Sequence, residues 1–424
     1  MRHDIIAEEK LGPMGEAMTD AIQKCVHCGF CLPGCPTYQE LGQEQDSPRG
    51  RILLMKEVLE GNLTVEEAIP SVDRCLGCLA CETNCPSGVG YGELISPFRD
   101  YTNRQRSRSW LERLRRQMVL QTLPHPSRFR LAMKLGKYTQ WIKRLLPRSI
   151  RPMLEMIPPT VPSPKKLVVH YPAEGARRGR VALLAGCAQQ VLAPEINLAT
   201  IRVLNRNGIE VVVPPDQKCC GALAWHIGES EVARRSARKN LSVFPQDVDA
   251  IISNAAGCGS GMKEYPLLFQ GSEYSERAEA FSSKVMDVSV YLAKLDLVRP
   301  GKSEQKIRVG YHDACHLAHA QQVRSAPRRM LSGIENLELV EIADSDTCCG
   351  SAGTYNIDQP ELAAQLGKRK ADVVLKSGCQ VLAAGNIGCL VQIEKHLLAS
   401  GAKIPVMHPI EILDRVYRGD AVVR

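Results

Sequence analysis

The sequence predicts an α+β multidomain chain: a small helical, cysteine-rich N-terminal domain, then a duplicated α/β unit, with a basic helical linker between them. Two internal repeats and one break in composition predict it. In the first repeat Cys25, Cys28, Cys31 and Cys35 recur fifty residues on as Cys75, Cys78, Cys81 and Cys85, and each set is closed by a proline, Pro36 or Pro86. In the second, Cys187, the adjacent pair Cys219 and Cys220, and Cys258 recur as Cys315, Cys348 with Cys349, and Cys389, at offsets of 128, 129 and 131. Self-similarity at fixed offsets marks a duplicated unit. The break in composition lies between Arg99 and Arg151, where 15 Lys and Arg face two acids. The expected boundaries are 1–100 for the helical domain, 101–165 for the linker, and 166–300 and 301–424 for the two α/β units.

Local signals justify the elements in turn. Ser47 is a good N-cap with Pro48 at the first helical position, and Gly61 ends the run RGRILLMKEVLE. Thr64 with Glu67 is a capping box for a second short helix leading to Cys75. The linker runs RQRSRSWLERLRRQMVLQ and FRLAMKLGKYTQWIKRLL read as basic amphipathic helices, followed by a proline-rich stretch. In the second half each repeated cysteine follows a β-rich run: RVALLAGC, IEVVVPPDQKCC and DAIISNAAGC, then IRVGYHDAC, LELVEIADSDTCC and CQVLAAGNIGC. Helical patterns separate them, such as APEINLATIRVLNRNG with Gly208 just past its end. Alternating strands and helices imply parallel sheets, and ligands of such sheets gather at the carboxyl ends of the strands. Cys379, outside both repeats, reads as a buried small hydrophobe.

The apolar fraction of 44% is that of an ordinary globular protein. No charged-then-apolar start suggests a secretory signal, and no apolar run approaches the roughly 18 residues of a spanning helix. Seventeen cysteines without a signal point to metal rather than disulfides, in the cytoplasm or at the cytoplasmic face of the inner membrane. The net charge is +8 and the linker alone carries +13, so the rest of the chain is net −5. The cationic stretch has no nucleic-acid-binding motif, and no nucleic-acid partner is expected. Its charge, with Trp110 and Trp141, suits a peripheral contact with a membrane surface; an acidic partner is the alternative.

Each Cys-x2-Cys-x2-Cys-x3-Cys-Pro run sets three closely spaced thiolates around one iron–sulfur cube, while the fourth crosses to the other. On that pattern Cys25, Cys28, Cys31 and Cys85 hold one [4Fe–4S] cluster, and Cys75, Cys78, Cys81 and Cys35 hold the second. Gly29 and Gly77 let the backbone pass close to inorganic sulfide. Structural zinc is the competing metal, but its sites usually present two Cys-x2-Cys pairs without the further cysteine and proline. In the duplicated half, Cys187, Cys219, Cys220 and Cys258, and then Cys315, Cys348, Cys349 and Cys389, are candidate ligands of one or two additional clusters. Adjacent thiols do not readily bind one ion, but they can bridge irons of a multinuclear centre. His226, His312, His316 and His319 are further candidates as ligands or proton carriers, although a single histidine is more often structural. There is no credible dinucleotide fingerprint, since GCGSGMK lies inside the cysteine repeat, and no catalytic residue is expected.

These motifs resemble the iron–sulfur subunits of bacterial glycolate oxidase (glycolate dehydrogenase) over nearly the full length. The resemblance rests on KCVHCGFCLPGCPTYQELG, SPRGRILLMKEVLEGN, DRCLGCLACETNCPSGVGY, CCGALAWHIGE, GCGSGMKEY, HDACHLAHAQ, CCGSAGTYNI and NIGC. It implies a ferredoxin-type domain and two CCG units, named for their Cys-Cys-Gly. It also implies partner dehydrogenase subunits that carry FAD and oxidise glycolate to glyoxylate, and electrons leaving towards a membrane quinone or a quinone-reducing partner. The wider group includes subunits serving D-lactate and glycerol 3-phosphate dehydrogenases, and heterodisulfide reductase. In that last branch each CCG unit ends in Cys-x-x-Cys and holds a five-cysteine noncubane cluster. Here Gly261 and Gln392 stand at the fifth position, which leaves an ordinary cubane or a site without metal.

Overall fold

A computed structural model of the chain describes residues 11–138, 154, 156–158 and 160–423. Trp141, the end of the second basic helix and most of the proline-rich run lie outside the described residues. Helices α1 (Gly15–Lys24), α2 (Pro36–Leu41), α3 (Pro48–Leu59), α4 (Val65–Asp73), α5 (Ala80–Thr83) and α6 (Tyr91–Asn103) build the N-terminal region. Ser47 Oγ accepts from Gly50 N at 3.0 Å, Gly61 sits at φ 83°, and Thr64 and Glu67 form a reciprocal capping box. Met18, Ile22, Ile52, Met55, Val72, Leu94 and Phe98 form a small core with Cys25 and Cys75 at its edge. Each such large side chain contributes about 1.5–3 kcal/mol by burial.

Helices α7 (Trp110–Thr122) and α8 (Pro126–Tyr138) follow. They bury Val119, Leu120 and Phe129 but leave other large apolar side chains outside. Arg115 and Arg116 turn inward to pair with Asp358 and Glu229, at 2.7 and 2.8 Å. Trp110, Leu111, Leu114 and Met118 of α7, with Leu131 and Leu135 of α8, are exposed. Much of the linker charge expected to face a partner is therefore spent within the fold.

The first α/β unit contains β1 (His170–Tyr171), β2 (Gly179–Leu183), α9 (Glu195–Arg206), β3 (Ile209–Val212), α10 (Ala222–His226), α11 (Ser230–Val243), β4 (Ala250–Ser253), α12 (Ala256–Lys263) and β5 (Val285–Asp287). The second contains β6 (Lys302–His312), α13 (Cys315–Ala318), β7 (Glu335–Val340), α14 (Pro360–Ser377), β8 (Val381–Ala384), α15 (Ile387–Ala399), β9 (Val406–Met407) and α16 (Pro409–Arg418). The sheet orders are β1-β3-β2-β4-β5 and β7-β6-β8-β9. Among the described residues only β1 pairs antiparallel; without it the two sheets have the same order and are wholly parallel. Strands β4 and β8 are buried along their whole length, as strands covered on both faces must be. The units share one core, in which Ile196 and Leu204 of α9 belong with Ile410 and Leu413 of α16. Arg202 bridges the same two helices to buried Asp414 at 2.6 Å.

Candidate metal centres

In the N-terminal region the chain reverses tightly inside each cysteine run. His27 and Gly29 in the first, and Gly77 and Leu79 in the second, all have φ between 57° and 88°. These positions match across the fifty-residue repeat although the residues differ. Histidine and leucine seldom adopt this conformation, so two strained positions stand beside the thiols. The result is two cavities. One, of about 410 Å³, is lined by Cys25, Cys28, Cys31 and Cys85. The other, of about 300 Å³, is lined by Cys35, Cys75 and Cys78. Cys81 borders both. A wall of thiols is the donor set an iron–sulfur core requires.

The charge around the second cavity comes from residues that sequence reasoning passed over. Arg51 is buried; its Nε donates to Ser71 O at 2.7 Å, Nη1 to Cys35 Sγ at 3.8 Å and Nη2 to Asp46 Oδ1 at 3.3 Å. Tyr91 Oη donates to Cys75 Sγ at 3.6 Å and Gly77 N donates to it at 3.4 Å. Burial raises the Cys75 pKa, but Arg51, Arg99 and these donors outweigh it and hold the thiol below its ordinary range. Burial, then the neighbouring Cys315, push Cys78 well up. The only sequence signal for Arg51 was its place in SPRGR; nothing in the pattern said that this cation turns inward. The first cavity is nearer the surface: Cys28 is exposed, and Val26 and Phe30 beside it are each 66% exposed.

In the duplicated half all eight repeated thiols lie beyond the carboxyl ends of β2, β3 and β4 or of β6, β7 and β8. Cys187 Sγ donates to Cys219 Sγ at 3.5 Å; this bond holds Cys219 well below its ordinary pKa and pushes Cys187 up. Cys315 and Cys348 are 3.9 Å apart. The glycine of each Cys-Cys-Gly has a backbone reason. Gly221 and Gly350 both sit at φ 85°, and a Cβ would meet Ala233 O at 3.2 Å or Ala363 O at 2.7 Å, on the helix that follows. Gly261, at the fifth position of the first unit, packs against Ala222, where a Cβ would come within 2.3 Å. Gln392, its counterpart, donates to Ala363 O at 3.0 Å. Both positions are committed to packing.

The second unit abuts the N-terminal domain. Cys78 and Cys348 share a buried cluster with Leu76, Tyr355 and Leu362, and Cys315 packs against it. Tyr355 Oη donates to Arg74 O at 2.8 Å. The first unit's Cys187, Cys219 and Cys220 lie in a different cluster, with Leu184, Trp225 and Leu120. Two of the four candidate histidines, His316 and His319, bond across these units, while His226 bonds within the first. His226 Nε2 is 3.1 Å from Glu264, which also accepts from Trp225 Nε1 at 2.6 Å. His316 Nδ1 meets Ser260 Oγ at 2.9 Å, and His319 Nδ1 meets Thr83 Oγ1 at 2.9 Å. Burial pushes His316 down to about 4, so it is neutral here. The fourth, His312, lies beside Cys349 and Cys389.

Comparison with known families agrees with this architecture. The 4Fe-4S dicluster domain matches residues 21–89, and the Cysteine-rich domain matches twice, at 181–263 and 309–394. Fold and site thus define an iron–sulfur protein of the electron-transfer subunit class. A probable glycolate oxidase iron-sulfur subunit of Bacillus subtilis is 38% identical over 92% of both chains. The glycolate oxidase iron-sulfur subunit of Escherichia coli is 36% identical over 93% of this chain and 94% of its own. The chain belongs to the family of glycolate oxidase iron–sulfur subunits. A fumarate reductase (CoM/CoB) subunit of Methanothermobacter marburgensis is more distant, 27% identical over 97% of this chain and 76% of its own. A solved structure of a hypothetical protein from Helicobacter pylori shares the fold, with TM-score 0.54 at 8% identity, over 97% of this chain and 77% of that one.

Proposed function

We propose that this chain carries electrons within a complex that oxidises glycolate to glyoxylate. A partner's FAD takes two electrons from the substrate and releases them singly to this chain. Cys25, Cys28, Cys31 and Cys85 hold the first [4Fe–4S] cluster, and Cys75, Cys78, Cys81 and Cys35 hold the second. The CCG thiols hold a further metal centre. The observation that carries this reading is the chain of thiols from the exposed Cys28, through the second cavity, to Cys315 and Cys348 of the second CCG unit. Electrons enter at the surface cluster and leave through the CCG half towards a membrane quinone.

The outward apolar faces of α7 and α8, with exposed Arg113, Lys134 and Lys137 among them, support contact with an anionic membrane surface. Among the described residues no helix is long and apolar enough to cross a membrane, which fits a peripheral contact.

Adding glycolate anaerobically to the assembled complex should bleach the iron–sulfur absorbance of this chain. Bleaching by D-lactate or glycerol 3-phosphate instead would reassign the partner's substrate. Reduction by dithionite but by none of the three would reject electron entry from such a flavoprotein.

A further inference from the structure

The two CCG units match in topology and in thiols but differ at one buried position. Three residues before the first cysteine, at the end of β6, stands His312; the first unit has Leu184 there. His312 is 0% exposed, neither Nδ1 nor Nε2 meets a nitrogen or oxygen partner, and the polar group beside the ring is the Cys349 thiol. Burying an imidazole with neither nitrogen so met is costly, and such a group in a native fold calls for a missing partner. Its surroundings supply one. A ring nitrogen of His312, Cys349 Sγ and Cys389 Sγ all lie within 4.8 Å of one another, and no other such trio of His, Cys, Asp or Glu atoms converges among the described residues.

Asn386 Nδ2 donates to Cys389 Sγ at 3.6 Å. One imidazole nitrogen beside two cysteine sulfurs is a donor set for iron or zinc. The first unit, with leucine in the same place, offers sulfur alone.

We propose that His312 is a metal ligand of the second CCG unit, completing with Cys349 and Cys389 a nitrogen–sulfur site that the first unit lacks. The inference rests on the reading that this unit holds a metal centre. Loading displaces the thiol protons of Cys349 and Cys389 to solvent, and the imidazole binds through an unprotonated nitrogen. At an iron centre, exchanging thiolate for imidazole raises the reduction potential, as it does where histidines replace cysteines on a cluster iron. The second unit would then draw electrons from the thiolate-bound clusters.

The test uses the full chain purified without oxygen, in a C219S/C220S background that removes the first unit's paired thiols. Iron, zinc and sulfide per chain are counted, and pulsed EPR of the reduced protein is searched for imidazole nitrogen coupling. The expected result is metal beyond the about eight irons of the two N-terminal clusters. In H312L that excess should fall at least fivefold while the N-terminal signals stay. H312C should restore the metal without any nitrogen coupling. Leucine occupies the matching site in the first unit, and a thermal melt checks that H312L folds. Full excess metal and an unchanged spectrum in H312L would overturn the ligand assignment alone. No excess metal before His312 is changed would overturn the underlying reading and this inference with it.

Discussion

At the scale of single residues, the second N-terminal cavity is shaped as much by one cation as by its thiols. Arg51 is 1% exposed and shares Asp46 with Arg74, whose Nε is 2.8 Å from the same carboxylate oxygen. A positive charge beside Cys35 and Cys75 favours the reduced, more negative state of a cluster held there. R51M should lower the midpoint potential of that cluster in an EPR-monitored titration and destabilise the chain by about 3 kcal/mol, because Asp46 loses its buried partner. An unchanged potential would mean that Arg51 only packs. Its inward turn was not legible in the sequence, since charge type says nothing about which face of α3 meets the thiols. The thiols themselves were legible as a set, because all eight that the repeat marks line one or both of the two cavities.

Among elements, helix ends were readable where capping chemistry is local and unreadable where burial decides. Ser47, Thr64 and Gly208 sit at the ends their types predict. His408 begins α16 instead: its Nδ1 accepts from Ile410 N at 3.1 Å, and histidine is not a usual cap. Burial pushes its pKa down to about 3. The unfolded value is about 6.5, so the folded state binds fewer protons between the two. Stability is therefore complete above about pH 6.5 and falls as the pH drops towards 3, by about 1.4 kcal/mol per pH unit for this one group. H408N keeps an acceptor at the cap and should flatten that part of the acid unfolding curve; equal slopes for both proteins would refute the assignment. The linker helices were legible as amphipathic but not in orientation, because the acidic partners of Arg115 and Arg116 lie more than a hundred residues away. Trp110, which is 70% exposed, Leu114 and Met118 form the outward stripe of α7. In flotation with anionic phospholipid vesicles, W110S/L114S/M118S should bind at least about tenfold more weakly than the unaltered chain, the equivalent of about 1.4 kcal/mol. Failure of the unaltered chain to float at low salt would remove the membrane contact.

On the scale of the whole molecule, duplication explains why so much of the architecture was readable. Offsets near 130 residues announced two copies, and two sheets of the same order bear that out. The docking of the halves was not readable, because it depends on contacts such as Gly228 against Arg99, where a Cβ would lie 2.4 Å from the carbonyl oxygen. Both CCG units dock on the N-terminal region, and the second brings Cys315 and Cys348 against Cys78 of the second cavity. The central claim is that the eight N-terminal thiols hold two four-iron clusters. Iron and acid-labile sulfide per chain, measured on protein purified without oxygen and read with EPR after reduction, test it most directly. The account predicts at least about eight of each, with signals from two interacting [4Fe–4S] clusters that are both lost when Cys35 and Cys85 are replaced by serine. Zinc in place of iron, or iron without sulfide, would contradict it.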